Sequence, residues 1–225
     1  MGDMLVALVP EIVGLAVTPA AIIACLLLLG SVQPYRNVAV FGGTVLVVYA
    51  VLGVVALVVG SAAGARTAGP AGAGWVSLVV GVLFLAVGIV AAARRPAPEP
   101  AGRGEAMPAW ARKLSVPTVP ALMGIAVVLA VVNPNVAILL SGLTTVVTSD
   151  VPLGTRELGV LVLVVASVLD YVVPTVLFAV AGVPGRRQLR ELRFWLIRRD
   201  RVIGAGVLLV FGVIFTVRGL SRLLA

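Results

Sequence analysis

Apolar residues in this chain are gathered into six long blocks, separated by short stretches that are polar, charged or rich in glycine. The blocks lie at about 4–29, 38–61, 75–93, 119–147, 157–182 and 202–220. Most of them reach the roughly 20 residues that an α-helix needs to cross a hydrocarbon core about 30 Å thick. Transmembrane β-strands would instead alternate in polarity over segments of about ten residues. The pattern predicts an all-α membrane protein with six transmembrane helices.

Composition agrees with this class and excludes several functions. Of the 225 residues 61% are hydrophobic and 12% charged, and the mean hydropathy is +1.18. The sequence has no histidine and a single cysteine, Cys25, so it offers neither a His/Cys metal set nor an intramolecular disulfide. It also has no P-loop and no Ser-His-Asp set. We therefore predict a protein that is not an enzyme and that uses no cofactor and no metal.

The basic residues indicate the orientation of the chain. Lys and Arg concentrate in the loops after the first, third and fifth blocks, and such loops stay on the cytoplasmic side. We therefore expect both termini to lie outside the cytoplasmic membrane, and we expect no nucleic acid partner despite the net charge of +8. Thirteen basic residues lie on the side predicted to be cytoplasmic and four on the other: Arg36, Arg94, Arg95, Arg103, Arg112, Lys113, Arg186, Arg187, Arg190, Arg193, Arg198, Arg199 and Arg201, against Arg66, Arg156, Arg218 and Arg222.

The segment 185–199, GRRQLRELRFWLIRR, has the pattern of an interfacial helix. Leucines and Trp195 recur at helical spacing on one face, and arginines fill the other, so the helix is expected to lie on the inner leaflet. Contact with lipid headgroups is predicted for Arg186, Arg187, Arg190, Arg193 and Trp195. The alternative is an anchor that sets orientation and has no specific lipid partner.

Two similar segments open the two halves of the chain. LAVTPAAIIACLLLL (15–29) lies in the first block and LAVVNPNVAILL (129–140) in the fourth, and each has a polar residue, a proline and then an aliphatic run. Because each half has three spans, the second half would be inserted upside down relative to the first, as in many transporters. We predict residues 1–93 as a first three-helix repeat, 94–117 as a Pro-rich cytoplasmic linker, and 118–225 as a second repeat that includes the helix 185–199.

The two prolines lie near the middle of their spans and predict broken helices. Proline has no N–H, so it leaves the carbonyl four residues earlier without its helical donor: Leu15 for Pro19, and Ala130 for Pro134. Lipid cannot supply a donor, so such breaks are expected to face protein or a wet cavity. With the adjacent Thr18, Asn133 and Asn135 they predict a binding site for a substrate or ion. The alternative is a pair of kinks that serve packing.

Asp170 is the most informative single residue. It lies in the middle of the fifth block, in SVLDYVVPT, where an aspartate costs about 2.5–3.5 kcal/mol on insertion scales. Pro174 frees the carbonyl of this same residue, and Tyr171 follows directly. These features predict that Asp170 and Tyr171 belong to the central site, unless Asp170 only holds helices together through Thr18, Asn133 or Asn135. Glu11 is a further candidate, facing either a vestibule or the outer headgroups.

The sequence resembles the actinobacterial GAP family of glycopeptidolipid- and sulfolipid-addressing proteins, within the lysine-exporter superfamily. The resemblance covers essentially the whole chain. It rests on VGLAVTPAAIIACLLLL, on the Asn-Pro-Asn segment, and on LRFWLIRRDRVIGAGVLLVFGVIFTVRGL near the C-terminus. It implies two three-helix repeats and a role in transporting or addressing a cell-envelope glycolipid. The Thr-Pro pair stands where relatives often have Ser-Pro or Asn-Pro, so no substrate preference carries over.

Three functions remain open from the sequence. The leading hypothesis is a transporter or export protein for a cell-envelope lipid or glycolipid, with its site at the two broken helices. The second is an exporter of a small polar solute such as an amino acid or cation, and the third is a membrane scaffold for lipid-synthesis enzymes. The partners expected are membrane lipids or glycolipids and lipid-synthesis or export machinery, with a homo-oligomer not excluded.

Overall fold

The computed structural model describes residues 2–62, 69–93 and 118–224, and over these ranges it is helical without strands. The predicted linker 94–117 lies outside the described residues. Within them the all-α prediction is confirmed. Nine helices follow one another: α1 (Gly2–Ala16), α2 (Pro19–Leu29), α3 (Pro34–Ala62), α4 (Gly69–Ala93), α5 (Val119–Val132), α6 (Asn135–Thr148), α7 (Leu153–Ala166), α8 (Leu169–Val180) and α9 (Gly182–Leu224).

Three segments are long and apolar enough to cross a membrane unbroken: Pro34–Val59, Gly74–Ala93 and Val202–Leu224. The other helices form three bent pairs, with angles of 44° between α1 and α2, 61° between α5 and α6, and 50° between α7 and α8. The described chain therefore has three clear spans, or up to six if each bent pair is one span. This is a multi-pass membrane protein.

The backbone leaves the helix at three short breaks. Thr18 is extended, with φ −103° and ψ 111°, directly before the proline that begins α2. Asn133 is likewise extended, with φ −70° and ψ 141°, at the end of α5. Both breaks follow from the prolines, because the residue before a proline is driven out of the α region. The third break, at Ser167 and Val168, precedes Pro174 by six residues and has no proline or glycine of its own.

The C-terminal helix differs from the expectation of a separate interfacial helix. Segment 185–199 is helical, but the backbone continues through it without interruption into the last span, so that α9 runs 43 residues from Gly182 to Leu224. The sequence contains no proline or glycine at the junction around Asp200, and Arg201 is a good helix former, so the helix can continue. The basic segment is thus an extension of the last span.

Helices α4 and α9 pack antiparallel at unusually close range through glycines seven residues apart. On α4 these are Gly74, Gly81 and Gly88, and on α9 they are Gly212 and Gly219, with buried Ala205 one heptad earlier. A Cβ added to Gly81 would lie 2.4 Å from the backbone nitrogen of Thr216. Small residues at such spacing let two helix backbones approach, and in lipid the gain comes from van der Waals packing.

The other helices surround a core formed mainly by leucine, and their outer faces are apolar. Helix α3 packs against the α5–α6 and α7–α8 pairs, while α1 packs against α6 and α7. Fully buried side chains include Leu15, Phe41 and Leu139. Valine dominates the exposed surface, as along α3 at Val47, Val51, Val54, Val55, Val58 and Val59. Water would not tolerate an apolar surface of this extent, whereas a bilayer solvates it.

Two alanine substitutions in the same helix test the glycine packing. We expect Gly219→Ala to lower the melting temperature of the detergent-solubilised protein, because the new methyl would lie 2.5 Å from the Leu78 backbone nitrogen. Overpacking of this kind costs about 1–3 kcal/mol. Gly206→Ala is the matched control, since nothing lies within 4 Å of its added Cβ. Equal melting temperatures for the two variants would show that α4 and α9 are not in backbone contact.

Candidate functional site

The three breaks converge on one polar cluster inside the bundle. The backbone N–H of Thr18 donates to both carboxylate oxygens of Asp170, at 3.2 and 3.1 Å. The Thr18 hydroxyl donates to the side-chain oxygen of Asn135 at 2.8 Å. The three helix pairs α1–α2, α5–α6 and α7–α8 are thereby joined through Thr18, which lies more than 100 residues from each of its two partners in sequence.

Asp170 compensates for the broken first helix pair. If the helix continued through Thr18, its N–H would bond within the helix, but the extended backbone there leaves this donor free. The Asp170 carboxylate, only 2% exposed, accepts it. Asp170 also lies in the first turn of α8, so the N-terminal ends of α2 and α8 both direct their positive dipole ends toward this carboxylate. These groups offset part of the cost of burying a carboxylate at this position.

The second break is held by its own asparagines. The side-chain oxygen of Asn133 accepts the backbone N–H of Asn135 at 3.1 Å, which closes the turn around Pro134. This bond leaves the Asn135 side chain to reach across to Thr18. Asn135 is 5% exposed, Asn133 is partly buried, and Pro134 faces outward. Pro19 is buried behind Thr18.

Tyr49 supplies the donor that Pro134 removes. Its hydroxyl donates to the backbone carbonyl of Ala130 at 3.2 Å, the carbonyl that lost its helical partner to the proline. Tyr49 is only 1% exposed and lies in the middle of α3. At both of these breaks, a side chain from another helix bonds the backbone group that the break has freed. Asp170 accepts the Thr18 N–H, and Tyr49 donates to the Ala130 carbonyl.

A cavity of about 150 Å³ lies between these breaks. Its polar lining comes from both asparagines of the second break, from two tyrosines, and from Ser167 at the third break. Its apolar lining is made of small and aliphatic side chains. The lining residues are Ala20, Ala21, Ala24, Val45, Tyr49, Leu129, Ala130, Asn133, Asn135, Ser167 and Tyr171.

Two open apolar grooves flank the cavity along the seam between α3 and the α7–α8 pair. The larger, about 530 Å³, lies between the later part of α3 and α7, and includes Val54, Leu57 and Leu161. The smaller, about 300 Å³, lies between the start of α3 and α8, and includes Val38, Leu46 and Val176. Tyr171 borders both the smaller groove and the polar cavity. The seam therefore has an apolar groove on each side of a polar centre.

Glu11 lies apart from this cluster in a second polar site. Its side chain is completely buried, and Oε1 contacts the Arg218 guanidinium at 2.6 Å and the Ser141 hydroxyl at 3.3 Å. Arg218 also donates to the Ala7 carbonyl at 2.5 Å. Glu11 is thus enclosed by protein groups, and its position relative to the outer headgroups stays a prediction. Arg218, counted above as a topology charge, is an interior partner of Glu11.

The structure describes only part of the predicted headgroup surface. Arg186, Arg187, Arg190 and Arg193 lie on the helical backbone of α9. Trp195 is 49% exposed, and the Arg199 guanidinium lies 5.8 Å from the centre of its ring. An exposed tryptophan beside an arginine is typical of a membrane interface.

Comparison with known proteins identifies the family. The sequence model of the family described as "SfLAP: Sap, sulfolipid-1-addressing protein" matches residues 8–221. The chain belongs to this family. No curated protein and no solved structure matches the chain.

Membership in the sulfolipid-1-addressing family agrees with the resemblance to GAP-type addressing proteins. The match includes all three helix breaks, the seam and the Glu11–Arg218 pair. The description of the family refers to addressing of a lipid and names no catalytic activity. Placement in the lysine-exporter superfamily stays a prediction.

Two cavity residues escaped the sequence analysis. Tyr49 lies in the middle of an apolar block, where a phenol hydroxyl needs a hydrogen-bond partner, and this signal could have found it. Ser167 marks the third break, where its side chain donates to the Val164 carbonyl at 2.6 Å. A serine that bonds its own helix in this way often bends it, and this signal could have located the break.

Tyr49→Phe tests the role of the hydroxyl. The substitution keeps the ring and leaves the Ala130 carbonyl without its donor, so we expect a loss of about 1–3 kcal/mol. Thermal unfolding in detergent would measure this loss as a lower melting temperature. Tyr35→Phe, at a tyrosine 48% exposed, is the control and should unfold like the wild type. A Tyr49→Phe protein as stable as the control would mean that the Ala130 carbonyl has another donor.

Proposed function

We propose that this protein transports a cell-envelope lipid or glycolipid, passing its headgroup through the polar cavity at the three helix breaks. The observation that carries the proposal is the seam, where a polar cavity of about 150 Å³ lies between two open apolar grooves. An amphipathic molecule has the same division into polar and apolar parts. The sulfolipid named in the family description is a molecule of this kind.

The cavity has the groups that a hydroxyl-rich headgroup requires. Asn133 and Asn135 offer amide donors and acceptors, and Tyr49 and Tyr171 offer phenol groups. Helices α2, α6 and α8 all begin beside the cluster, so three N-terminal dipole ends meet there, and Asp170 offsets part of their positive potential. Thr18, Pro19 and Pro134 shape the breaks. We assign the binding role to this set.

The grooves would hold the acyl chains. In the proposed arrangement each bent pair is one span, which gives six spans, and the breaks lie near the bilayer centre. One groove then lies in each leaflet, and a lipid could move its headgroup through the cavity while its chains stay in hydrocarbon. Tyr171, which borders the cavity and the smaller groove, stands where the headgroup would pass.

An inverted repeat would supply a means of movement. We propose that residues 1–93 and 118–225 form two three-helix repeats with both termini outside, and that one repeat rocks against the other. The α4–α9 pair, which joins the third span of each repeat, would be the fixed contact. The basic segment 185–199, with Trp195, would hold the cytoplasmic end of α9 at anionic headgroups.

Blocking the cavity should stop transport without unfolding the protein. Ala20 lines the cavity and is exposed, so Ala20→Phe would add a ring at its mouth. We expect the rate at which a labelled glycolipid moves between the leaflets of proteoliposomes to fall about tenfold or more, as a barrier increase of about 1.4 kcal/mol would produce. Ala121→Phe, at an exposed alanine of α5 outside the three cavities, should retain the wild-type rate.

Polar and charged variants extend the same assay. Asn135→Leu should slow transfer, whereas Thr144→Val on the same helix, where the hydroxyl bonds only the Leu140 carbonyl, should not. Asp170→Asn keeps the size of the side chain and removes its charge. If Ala20→Phe and Asn135→Leu each transfer lipid at the wild-type rate, the cavity route is refuted. If Asp170→Asn does so, the charge of Asp170 takes no part in transport and its role is structural.

The size of the cavity favours one alternative, export of a small polar solute. A volume of about 150 Å³ holds a small solute completely but only part of a glycolipid headgroup. The same proteoliposomes loaded with amino acids or with monovalent cations would distinguish the two functions. Solute efflux that Ala20→Phe abolishes, with no lipid transfer by the wild type, would establish the exporter.

A further inference from the structure

We infer that Arg218 and Arg222 form a second binding site, which takes the phosphate or sulfate group of an anionic lipid at the end of the bundle where both chain termini lie. This site is separate from the polar cavity. It involves α1, α6 and α9, and it shares no residue with the transport route proposed above.

The charges at this site do not balance. Arg218 and Arg222 lie one helical turn apart on α9, and within the described part of the chain the carboxylate that they face is that of Glu11. Arg218 uses both terminal nitrogens, on Glu11 and on the Ala7 carbonyl. Among the described residues this leaves Arg222 without a carboxylate partner of its own, and a half-buried cation of this kind favours a counter-ion.

Arg222 is the guanidinium that remains available. It is half-buried in the last turn of α9. Its Nη1 donates a long hydrogen bond, 3.4 Å, to the Thr145 hydroxyl. A planar guanidinium matches the oxygens of a phosphate or sulfate and can bind two of them at once. Thr145 places a hydroxyl beside the same position. These groups together are suited to an oxyanion.

The Glu11 carboxylate is not in a completed structural ion pair. Its Oε2 is buried and has no hydrogen-bond partner among the described residues, and the Ser141 bond to Oε1 is long at 3.3 Å. A buried ion pair that only stabilised the fold would be expected to satisfy both oxygens. The incomplete pairing fits a carboxylate that competes with an arriving oxyanion for the guanidinium groups. The Glu11 carboxylate would thus take the place of the lipid phosphate or sulfate when no lipid is bound.

The position selects a lipid as the source of the oxyanion. Arg222 lies in the last turn of α9, within the apolar segment Val202–Leu224 and next to the exposed apolar side chains Leu220 and Leu224. A headgroup at the membrane surface reaches such a position while its chains remain in the bilayer. A free ion would have to leave water to occupy it.

Binding to purified protein in nanodiscs of zwitterionic lipid tests the inference. A short-chain phosphatidylglycerol would be titrated and its binding followed by native mass spectrometry. We expect Arg222→Gln to weaken binding about tenfold or more, since one charge-assisted pair is lost. We expect Glu11→Gln to strengthen it, because the competing charge is removed. Arg36→Gln, which removes a positive charge near the start of α3 and away from this site, should bind like the wild type.

A further variant and a competition experiment distinguish the possible results. The double variant Glu11→Gln with Arg218→Gln removes one negative and one positive charge together, so the net charge of the site stays the same; it should retain weak binding through Arg222. Equal binding by the wild type and Arg222→Gln would overturn the site. Competition by free sulfate or phosphate as effective as the lipid would overturn the lipid as the source. This experiment measures binding and not transport. A negative result would therefore leave the cavity proposal intact, and a negative transport result would leave this binding site intact.

Discussion

The interior of this protein depends on one requirement, that every backbone group freed by a broken helix must find a partner inside the protein. Lipid offers no donor or acceptor, and an unsatisfied group costs several kcal/mol. The Thr18 N–H meets the Asp170 carboxylate, and the Ala130 carbonyl meets the Tyr49 hydroxyl. Each partner comes from a different span, so the breaks cannot separate from one another without losing these bonds. The polar cluster therefore sets how the spans are arranged around it.

The close contact of α4 and α9 is the opposite kind of interaction. There the helices are unbroken, the partners are glycine and backbone, and the stabilisation comes from proximity alone. A seven-residue period keeps the same face in contact along two antiparallel helices, as in a left-handed supercoil. The molecule therefore combines one rigid helix pair with a set of bent helices that enclose a cavity. Rigid and interrupted elements side by side are what a two-state movement of the two repeats would require.

The sequence was sufficient for the parts of this structure that local physics decides. Span length follows from apolar runs, and the breaks at Thr18 and Asn133 follow from the prolines beside them. The break at Ser167 was not predicted, because the nearest proline lies seven residues later and the bend depends on tertiary packing. Tyr49 and Arg218 were missed for another reason. Their partners lie 81 and 207 residues away, and a sequence without its fold does not give such pairs.

The three bent pairs also limit the symmetry of the two halves. In an inverted repeat α3 corresponds to the α7–α8 pair, yet α3 is straight over 29 residues and its counterpart bends by 50°. The straight helix supplies Tyr49, and the bent pair supplies Ser167, Asp170 and Tyr171, so the two walls of the seam differ in chemistry. The polar cavity therefore lies between a straight α3 and a bent α7–α8 pair.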